Sequence, residues 1–262
     1  MGRFVKRAWI LLSTYYAYMV EYRAELVLWV LAGLFPFILM GVWMEAAQGG
    51  QFGLDSRAFA RYFLAVFLVR QLNIVWVIWE FEKEVVSGKL SPLLLQPIDP
   101  VWRHVASHLA ERVARLPFVL ALVLIFFWLY PQAFWVPDGR NLLILLVVAP
   151  LVFALRFLMQ YTLAMAAFWT ERASALEELW FLVYLFLSGL VAPLSVFPEP
   201  VVQVLNWTPF PYLISFPASL LVGLPVAAGR GILVILFWLG AFWVLNRWLW
   251  RRGLRQYSGM GA

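Results

Sequence analysis

The 262-residue chain contains no cysteine. That absence excludes a disulfide framework, a thiolate metal centre and a cysteine nucleophile, and it leaves the redox compartment unread. Charge is scarce too. Asp, Glu, Lys and Arg make up 13% of the residues, about half the roughly 25% of a water-soluble domain. Too little polar surface remains to cover a soluble globule of this size. What is present is apolar: 64% of residues are hydrophobic, 18% are aromatic, and the mean hydropathy is +0.84. Disorder, a coiled coil and a disulfide-stapled secreted scaffold are excluded, and an integral membrane protein fits.

A helix needs about 20 mostly apolar residues to cross a hydrocarbon core about 30 Å thick. Six stretches meet that length: 24–44, 62–80, 113–130, 142–169, 179–197 and 231–250. Transmembrane strands would be about 10 residues long and would alternate apolar with polar. Runs such as LVVAPLVFAL and ILVILFWLGAF are instead apolar on every face. The expected fold is an all-α integral membrane protein, with six transmembrane helices forming a single domain over residues 1–262.

Lys and Arg near span ends are retained on the cytoplasmic side. With both termini cytoplasmic, the inside segments hold fourteen basic residues, among them Lys6, Arg7, Lys83, Arg103, Arg112, Arg172 and Arg247. The outside segments hold four, Arg57, Arg61, Arg140 and Arg230. Both ends are therefore expected in the cytoplasm. The net charge of +6 reads as a topology signal and an attraction to anionic membrane lipids, with no nucleic-acid partner.

The first twenty residues of the 1–22 segment could pass for a signal peptide, but Ser13, Thr14 and Glu21 interrupt the apolar run. At 100° per residue, Arg3, Lys6, Arg7, Thr14 and Glu21 share one face, with Phe4, Ala8, Leu11, Leu12, Tyr15 and Met19 opposite. That pattern predicts an amphipathic helix lying in the membrane interface. Tryptophans such as Trp29, Trp43, Trp76, Trp79, Trp169 and Trp248 fall near span ends, as interfacial anchors do.

Two segments break the pattern. The cytoplasmic passage 81–112 carries its own punctuation. Gly88 suits a helix stop, Ser91-Pro92 an N-cap followed by proline, and Asp99-Pro100 a second start. Between them Leu93, Leu94 and Leu95 form a short apolar helix. From local sequence it could dock into a partner's groove or rest on the lipid interface. The second segment, 191–225, holds seven of the chain's 15 prolines yet stays mostly apolar. Its part from 198 to 227, including Pro209, Pro211, Pro217 and Gly223, reads as an outer re-entrant segment capping a pathway.

Within the spans, Arg70, Gln71 and Asn73 in the second and Arg156 and Gln160 in the fourth stand out. Both arginines fall near midplane, with no acid expected at similar depth. Each must face water, backbone carbonyls, an amide or an anionic ligand. They are candidates either for structural hydrogen bonding or for lining a translocation path. His104, His108 and Glu111 share one face of the cytoplasmic helix, but no further histidine completes a metal site. No metal centre is expected, and the two histidines read as solvated.

The order of features resembles a permease subunit of the type-two ABC export superfamily, in its small six-helix bacterial group. The stretch VVSGKLSPLLLQPIDPVW, 85–102, resembles that group's Gly-x-Leu-x-x-Leu-Leu-x-x-Pro passage, with Gly88, Leu90, Leu93, Leu94 and Pro97 in its positions. The stretch NWTPFPYLISFPASLLVG, 206–223, resembles its outer re-entrant segment. The resemblance implies that Gly88, Lys89, Leu90, Ser91, Pro92, Leu93, Leu94, Leu95, Gln96 and Pro97 form a coupling passage, its short helix seated on an ATPase subunit. It further implies two ATPases, a second permease, identical or homologous, and a bacterial cytoplasmic membrane. No Gly-x-x-x-x-Gly-Lys-Ser/Thr loop occurs in the chain. ATP and Mg are thus expected on a partner and not here, and the chain is not expected to be an enzyme. The rivals are an autonomous secondary carrier or a membrane-embedded enzyme using Arg70 and Arg156, and an assembly subunit without transport of its own.

Overall fold

The computed structural model describes the backbone of residues 2–50 and 53–260 and the side chains of residues 5–50 and 53–257. Among the described residues every regular element is helical. The side chains of Arg3 and Phe4 lie outside the described set.

Helix α1 (Gly2–Glu21) has the expected amphipathic face, with Ala8, Leu11, Leu12, Tyr15 and Met19 half-buried between exposed neighbours. That face rests on protein as well as on any interface. Together with Trp102, Val105 and Leu109, residues Ala8, Leu11 and Leu12 line a cavity of about 360 Å³. After α1 the first expected span divides into α2 (Arg23–Ala32) and α3 (Phe35–Ala46), because Pro36 at the start of α3 has no N–H to continue the ladder.

The second run, Ser56–Val86, is longer than expected and broken. Helix α4 (Ser56–Asn73) is capped by the Asp55 carboxylate, which accepts from the Ala58 N–H at 2.7 Å. It ends at three extended residues, and α5 (Val77–Val86) follows. Gly88, at φ +72, takes the left-handed turn that releases the chain from α5. The short helix α6 is Leu90–Leu94.

Helix α7 (Val101–Leu129) fuses the expected cytoplasmic helix with the third span, and α8 (Gly139–Ala164) forms the fourth. Helix α13 (Ala228–Met260) runs beyond the expected last span. Among the described residues five helical runs are thus long and apolar enough to cross a membrane: Arg23–Gly49, Ser56–Val86, Val101–Leu129, Gly139–Phe168 and Ala228–Tyr257.

The stretch expected as span 179–197 differs. Helix α9 (Ala175–Leu187) has 13 residues, about 20 Å of rise, and stops where Gly189 adopts φ +88. The groups freed there are taken up by the proline-rich segment and by α4. The Ser215 N–H donates to the Ser188 carbonyl at 2.9 Å, and the Tyr62 hydroxyl donates to the Gly189 carbonyl at 2.8 Å. That segment folds as α10 (Glu199–Leu205), α11 (Phe210–Leu213) and α12 (Ser215–Val222). Residues 211–220 are all buried. The α11–α12 pair packs against α4, α8 and α9 within one apolar core that includes Phe63, Phe67, Leu155, Tyr184, Leu213 and Ile235.

Candidate functional site

The short helix α6 stands on a built platform. Leu90 is fully buried with Val77, Ile78, Phe81 and Phe168 in a second core. Leu94 is 36% exposed and Leu95 88% exposed. One leucine thus roots the helix, while others project from it. The expected N-cap at Ser91-Pro92 is displaced, since α6 begins two residues earlier, after Lys89, and Ser91 Oγ lies 3.0 Å from the Tyr257 hydroxyl of α13. Around the platform Gln96 Oε1 accepts from Arg103 at 3.1 Å, and Arg247 pairs with Asp99 at 3.4 Å. Lys89, Pro92 and Pro97 are exposed.

Helix α5 ties α6 to the bundle through three carboxylates. Glu80 and Glu84, one turn apart, each lie 3.2 Å from a different ring nitrogen of His104 on α7. Both nitrogens must carry protons to donate to both acids, so the ring is an imidazolium. Glu82 accepts from the Ser174 N–H at 2.5 Å and from its hydroxyl at 3.1 Å, joining α5 to the start of α9. His108 closes the break between α4 and α5. Its Nε2 accepts from the Trp76 N–H at 2.8 Å and its Nδ1 donates to the His104 carbonyl at 2.7 Å, which fixes the neutral Nδ1–H tautomer. The expectation of solvated histidines is corrected: His104 and His108 are buried, because acids four residues apart on α5 and a free N–H at its start supply their partners. Glu111 pairs with Arg115 of the same helix.

Arg70 and Arg156 come together. They line one cavity of about 240 Å³ with Trp76, Trp79, Glu177 and Glu178. Arg70 occupies the last turn of α4, where unpaired carbonyls favour a cation. Arg156 lies with its guanidinium carbon 4.4 Å from the Tyr184 ring centre and 5.3 Å from that of Trp180, two rings stacked at 4.9 Å. Such contacts contribute about 0.5–2 kcal/mol each. Nε and Nη1 of Arg156 and Nη1 of Arg70 are buried without a hydrogen-bond partner among the described residues.

The expectation that no acid reaches this depth is also corrected. Glu177 is buried, and its carboxylate accepts from Gln160 Nε2 at 2.7 Å. It lies in the first turn of α9, which starts at Ala175, before the expected span, and packs on α8. Gln71 points elsewhere, donating to the Val30 carbonyl at 3.3 Å. Asn73 is buried at the end of α4.

At the other end of the bundle, Pro209 and Pro211 start α11, Pro217 lies in the first turn of α12, and Gly223, at φ +78, ends it. Tyr212, Ser215, Ser219 and Arg230 line a cavity of about 570 Å³ there. The sequence reading missed the Glu80–His104–Glu84 clamp. The four-residue spacing of the two acids was visible, but their apposition to α7 was not.

A family model described as ABC-2 family transporter protein matches residues 53–261. No curated protein matches the chain.

Proposed function

The chain belongs to the ABC-2 family of transporter proteins, and we propose on that premise that it is the permease subunit of an ATP-driven exporter. In this reading it crosses a bacterial cytoplasmic membrane six times with both termini inside. Five crossings are the long helices, and the fifth in order is α9 completed by the irregular residues 188–197. ATP, with Mg, is bound and hydrolysed by two separate ATPase subunits. A second permease, identical or homologous, completes the translocation path.

The observation that carries the proposal is the construction of α6. Leu95 is 88% exposed on a helix whose base, Leu90, is fully buried, and an apolar side chain presented in that way suits a partner's groove. Residues 88–97 are the docking passage. Displacement of α6 would reach the interior through α5, whose Glu80, Glu82 and Glu84 grip α7 and the start of α9. Arg70, Arg156 and Gln160 are the proposed path residues at the inner end of this lever. Gln71 and Asn73 support the α4 end, and the α10–α12 segment closes the outer end. A partner shifts such an equilibrium only by binding its states unequally, so the contacts of Leu93, Leu94 and Leu95 must differ between ATP-bound and ATP-free complexes.

Purification of the tagged chain from its native membrane in mild detergent tests the proposal. A stoichiometric nucleotide-hydrolysing subunit in the eluate is expected. Its absence from several detergents would overturn the ABC permease reading and return Arg70 and Arg156 to an autonomous carrier or a membrane-embedded enzyme.

A further inference from the structure

We infer that the cavity between α4, α8 and α9 binds an oxyanion, held by the in-plane N–H groups of Arg156 and Arg70. The inference rests on the permease reading and deepens it by assigning a ligand class to the path residues. Arg156 is 5% exposed. The Tyr184 and Trp180 rings engage the guanidinium as a cation, yet they accept none of the hydrogen bonds that Nε and Nη1 can donate. Those two nitrogens and Arg70 Nη1 are buried donors without acceptors around one cavity.

Neither arginine has an ion pair among the described residues. Glu177, the nearest buried acid, is held by Gln160 at 2.7 Å. The two guanidiniums line the same cavity, where like charges repel. An anion between them would offset that repulsion and satisfy buried donors whose hydrogen bonds are costly to leave unmade.

The cavity of about 240 Å³ has room for a tetrahedral group and several waters, each taking about 30 Å³ of liquid volume. Arginine donors in a fork match phosphate, sulfate and carboxylate oxygens. Trp76, Trp79 and Phe181 make up much of the remaining wall, so the anionic group can carry an apolar body. That chemistry is shared by an anionic lipid headgroup and by a soluble amphiphilic anion.

The test uses the full chain, delipidated in neutral detergent, with two probes: radiolabelled sulfate by equilibrium dialysis and dioctanoyl phosphatidylglycerol by native mass spectrometry. Saturable binding of at least one probe is expected, weakened on the order of tenfold or more by Arg156→Gln or Arg70→Gln and unchanged by Arg230→Gln. Binding of both probes points to a soluble oxyanion, and binding of the lipid alone to a headgroup. Glu177→Gln removes a negative charge from the wall and should tighten binding, a gain that misfolding cannot produce. Absence of saturable binding to both probes overturns the inference, as does equal affinity in both arginine variants or weaker binding in Glu177→Gln. Recovery of an ATPase partner with no anion bound would reject this site and leave the transporter reading standing. Anion binding without a partner ATPase would do the reverse.

Discussion

Gly189→Ala places a methyl group where the end of α9 meets the re-entrant pair, and the geometry there sets its consequence. The residue has φ +88, and an added Cβ would lie 2.6 Å from Ser215 Cβ and 2.7 Å from the Tyr62 hydroxyl. A left-handed backbone costs an L-residue about 1–2 kcal/mol. Overpacking a filled core adds about 1–3 kcal/mol, and neither Tyr62 nor Ser215 can yield readily because both are buried and hydrogen-bonded to this turn. Reduced freedom of the unfolded chain returns about 0.4–1 kcal/mol, so a net loss of about 2–4 kcal/mol is expected. Gly240→Ala is the control. It lies within α13 with nothing within 4 Å of the added carbon, and helix propensity favours alanine by about 0.5–1 kcal/mol. Thermal unfolding of both variants in one detergent, followed by tryptophan fluorescence, should show Gly189→Ala melting below the parent and Gly240→Ala at or above it. Identical melting of Gly189→Ala and the parent would refute the close fit of α9 to the re-entrant helices.

His108→Leu removes the acceptor of the Trp76 N–H and should destabilise the α4–α5 break by about 1–3 kcal/mol, seen as faster amide exchange at residues 74–77; unchanged exchange would deny His108 its capping role.

Composition made the membrane class legible, and run length located most of the long helices. Their ends were harder to place, because polar residues extend helices beyond the hydrocarbon. Thus α7 begins at Val101 and α13 continues to Met260, with Val101, Leu254 and Tyr257 packed on the core that contains Phe168. The break after Asn73 carries no proline or glycine. It is stabilised by His108, 32 residues away in sequence, a partnership that local patterning does not encode. Gly88 was readable because a left-handed turn has few alternatives. Arg70 and Arg156 were readable because charge in an apolar run is conspicuous, whereas Glu177 was not, since its burial depends on the first turn of α9 docking on α8.

The central claim is that α6 docks an ATPase subunit through its projecting leucines, and Leu95→Asp tests it most directly. At 88% exposure the new charge meets no core and should leave the fold intact. Tagged parent and variant would be purified from the native membrane in parallel and the recovered ATPase subunit quantified. Predicted is a monodisperse variant from which the ATPase is lost; equal recovery with both proteins would contradict the account.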